Sequence, residues 1–327
     1  MSVEPATQVC AADASAIAAA ARALARGGLV AFPTETVYGL GCDACNGAAV
    51  ARLYEAKGRP SFNPLIAHVA DVAAARRLAK FDASAERLAQ TFWPGPLTLV
   101  LRKREDCSVA ELATAGLDTI AVRVPSHPVA REILMAFGRP VVAPSANRSG
   151  HVSPTTAQHV AADLRGRIDL IVDGGPAPMG LESTIIACLD VPALLRPGAL
   201  SRAAVEQIVP LRDAAATPAG EGEVPLAPGH LASHYAPRAR LRLTAEWVNP
   251  GEALLAFGPA QIEGAGQAVA MRNLSPGADL IEAAANLFSH LRTLDASAAS
   301  CIAVMPVPQL GLGEAINDRL RRAAAPR

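Results

Sequence analysis

Lysine is scarce in this 327-residue chain, occurring only as Lys57, Lys80 and Lys103. Positive charge therefore rests on arginine, and 30 Lys and Arg are balanced by 30 Asp and Glu. That balance argues against a polybasic, nonspecific nucleic-acid binder, although local basic grooves stay open. Aromatic residues make up 4%, few for a surface that stacks bases. Hydrophobic residues reach 51%, but alanine supplies much of the share. No run of about 18 strongly apolar residues goes uninterrupted by charge, so no membrane span is expected. The N-terminus lacks a basic start followed by an apolar run. Its alanine-rich stretch from Asp13 to Arg26 reads instead as a helix capped near Asp13 or Ser15. The expected compartment is the cytoplasm. Six cysteines without a secretory context are expected as free thiols. Cys42-Asp43-Ala44-Cys45 is a CxxC, but no second pair accompanies it, so neither a zinc nor a redox role is expected there. The P-loop G-x-x-x-x-G-K-[ST], the nucleophile elbow G-x-S-x-G and the zincin H-E-x-x-H are all missing.

Two domains with sizeable cores suit this length. Strands are expected at 28–32, 65–69, 97–101, 120–124, 141–143, 170–173 and 184–189. Helical patterns separate only some of them, which predicts an α/β fold with a mixed twisted sheet rather than a purely parallel one. Residues 213–230, DAAATPAGEGEVPLAPGH, carry Pro, Gly and Glu without a period and read as a linker. A compact pattern then resumes, with strands at 239–243, 253–257, 268–273 and 301–307 and helices at 279–295 and 313–324. It predicts a small Rossmann-like α/β domain without the G-x-G-x-x-G of a dinucleotide site. Gly311-Leu312-Gly313, ahead of the last helix, reads as a tight turn. The division expected is 1–212, a linker over 213–238, and 239–327.

Two segments carry candidate chemistry. Residues 29–69 read as a buried strand, a Pro-Thr turn, a Gly-rich bend, a helix ending in Lys57-Gly58-Arg59, and a second apolar strand. Lys supplies a point charge and Arg a flat five-donor fork, a combination suited to phosphates; cations favouring a helix C-terminal dipole are the plainer account. Residues 139–154, RPVVAPSANRSGHVSP, run a short strand into a loop where Ser145 and Asn147 flank Ala146. Such groups hold sugars, bases or phosphates, or satisfy their own turn. Arg123 lies in an apolar strand and needs a partner, either a substrate carboxylate or a structural Asp or Glu.

Together these segments resemble the YrdC family, the ATP-dependent threonylcarbamoyl-AMP synthases. The matching pieces are Pro33-Thr34-Glu35-Thr36-Val37-Tyr38-Gly39-Leu40-Gly41, Lys57-Gly58-Arg59-Pro60 with Asn63-Pro64-Leu65, Trp93-Pro94-Gly95-Pro96, Ala121-Val122-Arg123-Val124-Pro125 and Pro144-Ser145-Ala146-Asn147. Glu182-Ser183-Thr184-Ile185 and Arg196-Pro197-Gly198 follow in family order, and His234-Tyr235-Ala236-Pro237 matches the linker element of the longer, two-domain form. His230 stands where the family often carries Met, and Leu231-Ala232-Ser233 replaces a more basic, aromatic stretch of some members.

The resemblance implies a YrdC-like catalytic domain over 1–212 and synthesis of threonylcarbamoyl-AMP from L-threonine, bicarbonate and ATP, with release of pyrophosphate. It implies Lys57, Arg59 and Asn63 on the ATP phosphates, with Lys57 and Arg59 as the catalytic clamp. Ser145, Asn147, Ser153 and Arg196 would hold the rest of the nucleotide, and His234 and Tyr235 would close over it. Thr36, His68, Arg123 and Ser183 would surround threonine. Mg²⁺ would be held through the phosphates rather than by a protein cage. The partner implied is the transferase machinery that modifies tRNA next to the anticodon, with tRNA itself a further candidate; the chain is expected as a monomer. Three rival readings stand beside this one. A carbamoyl-transfer relative would need extra domains for which the chain has no room. A double-stranded RNA-binding module would show salt-dependent affinity without turnover. A threonine- or nucleotide-sensing protein would bind without releasing pyrophosphate.

Overall fold

The computed structural model describes residues 7–213, 235–297 and 299–326. His234 and residues 214–233 of the expected linker lie outside them. Among the described residues, two sheets organise the chain. The first has eleven strands, in the order Gln8–Ala11, Leu170–Asp173, Val30–Phe32, Gly39–Asp43, Val141–Val142, Ile66–His68, Thr119–Arg123, Leu97–Arg102, Thr184–Ala187, Ala193–Arg196 and Arg212–Asp213. Five of its ten adjacent pairs run parallel and five antiparallel, so the sheet is mixed, as expected.

The sequence pattern does not announce four of these strands: Gln8–Ala11, Gly39–Asp43, Ala193–Arg196 and Arg212–Asp213. Three are short segments at or near the sheet's two ends, too brief to show a period. Gly39–Asp43 reads as a bend because its two glycines weaken any strand signal. In the sheet it is an interior strand, and Gly41 is what lets it fit: a Cβ there would stand 2.6 Å from Phe32 Cε1 and 2.8 Å from Val141 Cγ1.

Helices take their ends from the side chains the sequence supplies. Asp13 accepts from the Ala16 N–H at 2.8 Å and starts the first helix, Ala14–Ala25. Asn46 caps Gly47–Lys57 by accepting from the N–H groups of Ala48 and Ala49. That helix stops at Gly58, which adopts the left-handed φ of 59° while the Arg59 N–H donates back to Tyr54 O at 3.0 Å. No protein atom crowds Gly58, and its left-handed φ is what favours glycine there.

The second sheet, ordered Arg240–Arg242, Cys301–Val304, Glu252–Ala256 and Met271–Asn273, is parallel throughout. Helices Leu280–Asp295 and Gly313–Ala324 cover it. Gly311-Leu312-Gly313 is a turn, closed by the Gly313 N–H on Leu310 O at 2.9 Å. An apolar cluster joins the two halves: Val37, Val152 and Leu181 pack with Tyr235, Leu287, Phe288 and Leu291. Arg292 reaches across to Asp163 at 2.9 Å, and Arg202 pairs with Glu314 at 3.0 Å.

The six cysteines are free, and no group of three or more His, Cys, Asp or Glu among the described residues could hold a metal. No described helix is long and apolar enough to cross a membrane.

Gly41→Ala is expected to lower unfolding stability by about 1 to 3 kcal/mol, because Phe32 and Val141 must part to admit the methyl. Urea unfolding measures it; a midpoint equal to wild type would show that the two side chains move aside without cost.

Candidate active site

Strands Ile66–His68 and Thr119–Arg123 run parallel and in register, so His68 and Arg123 lie opposite one another where the two strands end. The carboxyl ends of parallel strands are where α/β sheets collect ligands. Thr36 comes from the turn between Val30–Phe32 and Gly39–Asp43, and Ser145 follows Val141–Val142 and bridges to Gly39. Ser183 precedes Thr184–Ala187, and a register shift between Leu194 and Arg196 sets Arg196 at the end of the neighbouring strand. These residues line one recess with Arg59, Tyr235 and Glu182, floored by Val37, Leu65 and Ile66.

Three guanidinium groups meet there. Arg123, 4% exposed, donates from Nη1 to Thr36 Oγ1 at 3.0 Å, from Nη2 to Glu35 Oε1 at 2.6 Å, and from Nε to Gly95 O at 3.3 Å. The structural carboxylate is therefore present, and it is Glu35. Burial alone would raise the Glu35 carboxyl, but the charge and hydrogen bond of Arg123 outweigh it and hold it below the usual range. Arg59 donates to the carbonyls of Asn63 and Pro64 at 3.2 to 3.4 Å; burial lowers it to about 10, which leaves it charged at neutral pH. Arg196 donates to Ser183 O at 2.9 Å and to Ser183 Oγ at 3.2 Å, while Ser183 Oγ lies 2.7 Å from Thr98 Oγ1.

His68 is uncharged. Burial, reinforced by the charge of Arg123, pushes its imidazole down to about 3. Its Nδ1 lies 3.1 Å from Ile66 O, and a carbonyl only accepts, so Nδ1 carries the proton and Nε2 is an acceptor.

Lys57 stands one layer behind the recess. Its Nζ donates to Ser145 O at 2.5 Å and to Asn147 O, so the ammonium secures the backbone of the Ser145–Asn147 loop. Burial first, and the Arg59 charge second, push its pKa well below that of an ordinary lysine. The αL turn at Gly58 separates the two cations of the clamp: Arg59 enters the recess and Lys57 braces its wall. Asn63, Asn147 and Ser153 also lie outside the lining. The Oδ1 atoms of Asn63 and Asn147 are buried without hydrogen-bond partners among the described residues. Ser153 Oγ donates to Glu182 Oε1 at 2.5 Å.

Tyr235, with φ of 61°, is buried, stacks on Phe288 at 5.6 Å and closes one side of the recess. The Ala236 N–H donates to Gly150 O at 2.8 Å and ties this segment to the first sheet's loops.

A model described as "Telomere recombination", for Sua5, YciO and YrdC proteins, matches residues 22–198, and a model for the threonylcarbamoyl-AMP synthase C-terminal domain matches 200–325. The chain belongs to the Sua5/YrdC family. It is 41% identical to a threonylcarbamoyl-AMP synthase of Bacillus subtilis, covering 95% of this chain and 93% of that protein. A protein of the same name from Pyrococcus abyssi is 42% identical, covering 93% of each. The crystal structure of P. abyssi Sua5 complexed with L-threonine superposes with a TM-score of 0.85 at 38% identity, covering 97% of each chain.

Sequence reasoning named the Sua5-type motifs but passed over three residues that hold the recess together. Glu35 and Glu182 are the only charged residues of the Pro33–Gly41 and Glu182–Ile185 motifs, and a lone acidic residue in such a motif was the available signal. Arg319 was not legible, because Gly313–Ala324 carries several charged residues and only packing shows which one is buried. A protein-held metal does not fit the recess. Its carboxylates are engaged, Glu35 by Arg123 and Glu182 by Ser153 and Arg319.

The depressed imidazole makes an acid-stability prediction. With a folded value near 3 against an ordinary value of 6.5, His68 costs nothing above pH 6.5. It destabilises the fold progressively as pH falls from 6.5 toward 3. Denaturation from pH 7 to 4 is expected to show a smaller acid loss in His68→Gln than in wild type; equal losses would mean the ring is not buried neutral.

Proposed function

We infer that the chain is a threonylcarbamoyl-AMP synthase, joining L-threonine, bicarbonate and ATP into L-threonylcarbamoyl-AMP with release of pyrophosphate. The product serves threonylcarbamoylation of the adenosine next to the anticodon in tRNA. One observation carries the reading: Arg59, Arg123 and Arg196 converge with a neutral His68 in a single recess, in a chain matched along nearly its whole length by threonylcarbamoyl-AMP synthases.

The chemistry follows from that charge. The amine nitrogen of threonine bonds to the carbon of bicarbonate with loss of water, giving an N-carboxylate. One oxygen of this group attacks the α-phosphorus, and the bond from that phosphorus to the pyrophosphate oxygen breaks. Negative charge accumulates on the phosphoryl oxygens, where Arg59 and Arg196 supply fixed positive charge in a partly dry recess. Lys57 keeps the Ser145–Asn147 loop at the distance the nucleotide needs, and Asn63 does the same for Arg59. Ser145, Asn147 and Ser153 shape the nucleotide wall, which Tyr235 closes.

On the threonine side, Glu35 sets the plane of the Arg123 guanidinium so that its remaining N–H groups meet the substrate carboxylate. Thr36 and Ser183 offer hydroxyls, and the His68 Nε2 lone pair accepts from threonine. Mg²⁺ would be held through the ATP phosphates and would offset their charge there. The division into 1–212, 213–238 and 239–327 is supported by the first sheet ending at Asp213 and the second beginning at Arg240. The enzyme works as a cytoplasmic monomer and hands its product to a separate transferase that acts on tRNA.

Pyrophosphate release from ATP is expected to require both L-threonine and bicarbonate; release without either would overturn the carboxylation-coupled mechanism. Arg59→Ala is expected to slow release at least 100-fold. Arg123→Ala should abolish threonine use and, by stranding the Glu35 carboxylate, also destabilise the fold by about 3 to 5 kcal/mol. Arg123→Ala paired with Glu35→Gln should recover stability without threonine use. Serine should be used 10- to 100-fold less efficiently, since contact with one methyl discriminates by only about 1 to 3 kcal/mol.

A further inference from the structure

Arg319 lies on the helix Gly313–Ala324 of the second sheet's half, yet it is fully buried against the recess. Its Nε donates to Glu182 Oε2 at 2.8 Å, and its Nη2 donates to Pro197 O at 3.0 Å. Its guanidinium carbon sits 5.1 Å from the centre of the Tyr235 ring. Asp318 accepts from Nη1 at 2.5 Å. One side chain thus grips three walls of the recess: the Glu182-Ser183 segment, the turn after Arg196, and the Tyr235 cover.

We propose that Arg319 is a positioning residue through which the C-terminal half controls nucleotide affinity, by neutralising Glu182 and holding it away from the bound anion. The need arises from Glu182 itself. Its carboxylate lines the same recess as Arg59 and Arg196, which the function proposed above assigns to the nucleotide. An unpaired carboxylate there would repel phosphates and compete for Arg196. The groups that face Glu182 are Ser153, Arg196 and Arg319, with Asp318 and Tyr235 around Arg319. Burial favours the protonated carboxyl, and the Arg319 charge, followed by Arg196, reverses that preference. With Arg319 in place, Glu182 stays ionised and compensated at every working pH. Without it, only Arg196 and the Ser153 hydrogen bond would offset burial, so Glu182 would take up a proton more readily in acid and be a poorly compensated anion in base.

The pH profile of ATP affinity separates this role from mere scaffolding. Arg319→Met, Arg319→Gln, Glu182→Gln and the Glu182→Gln/Arg319→Met pair would be compared with wild type between pH 6 and 9. The readouts are kcat and KM for ATP, with the ATP dissociation constant from calorimetry. Arg319→Met is expected to raise KM and the dissociation constant about tenfold more at pH 9 than at pH 6, with kcat less affected. The paired variant is expected to flatten that profile and recover most of the affinity. A flat Arg319→Met profile at wild-type affinity, or a paired variant no better than Arg319→Met, would overturn the proposal. Should Arg319→Met not fold, Arg319→Gln decides: ATP binding weakened at least threefold more at pH 9 than at pH 6 supports it, and wild-type binding at both overturns it. Calorimetry needs no turnover, so loss of the synthase reading would show separately, as wild-type protein that releases no pyrophosphate.

Discussion

Charge buried without a partner is the constraint on which this structure turns. A guanidinium taken out of water loses several kcal/mol of solvation unless acceptors replace the water it leaves. Three buried arginines (Arg123, Arg196 and Arg319) and the half-buried Arg59 gather at or beside one recess, and the chain around them is arranged to supply acceptors. Loop carbonyls of Asn63, Pro64, Gly95, Ser183 and Pro197 serve this purpose, together with the carboxylates of Glu35 and Glu182. The motifs around these arginines have a structural reason of their own, since they place carbonyls where guanidinium groups need them.

The two carboxylates act alike from opposite sides. Glu35 holds Arg123 from within the first half of the chain, and Glu182 is held by Arg319 from the second. Each pair is nearly neutral, whereas the hydrogen-bond acceptors of Arg59 and Arg196 are neutral groups. Lysine contributes differently from what its charge suggests. The Lys57 ammonium donates to two carbonyls and fixes the loop that carries Ser145 and Asn147.

The second half of the molecule is more than an appendage of the first. Val37, Val152 and Leu181 complete an apolar cluster with Leu287, Phe288 and Leu291, so separating the halves would expose apolar surface at the edge of the recess. Tyr235 sits in that cluster and in the lining of the recess at once.

Much of this was legible in the sequence. Apolar runs marked the central strands, Asp13 marked a helix start, and the helix end was placed at Lys57-Gly58-Arg59. The motif order led to a recess lined by Thr36, Arg59, His68, Arg123, Ser145, Ser183 and Arg196. The sequence alone determined which residue types were available and in what local geometry, because capping, turn and strand signals act over a few positions. Only the tertiary structure decided that Gly39–Asp43 is an interior strand, that Lys57 donates to the Ser145 and Asn147 carbonyls, and that Glu35 and Glu182 are the counter-charges. It alone chose Arg319 among the charges of its helix. Those outcomes depend on which atoms meet across more than a hundred residues, and burial and charge compensation are properties of that meeting.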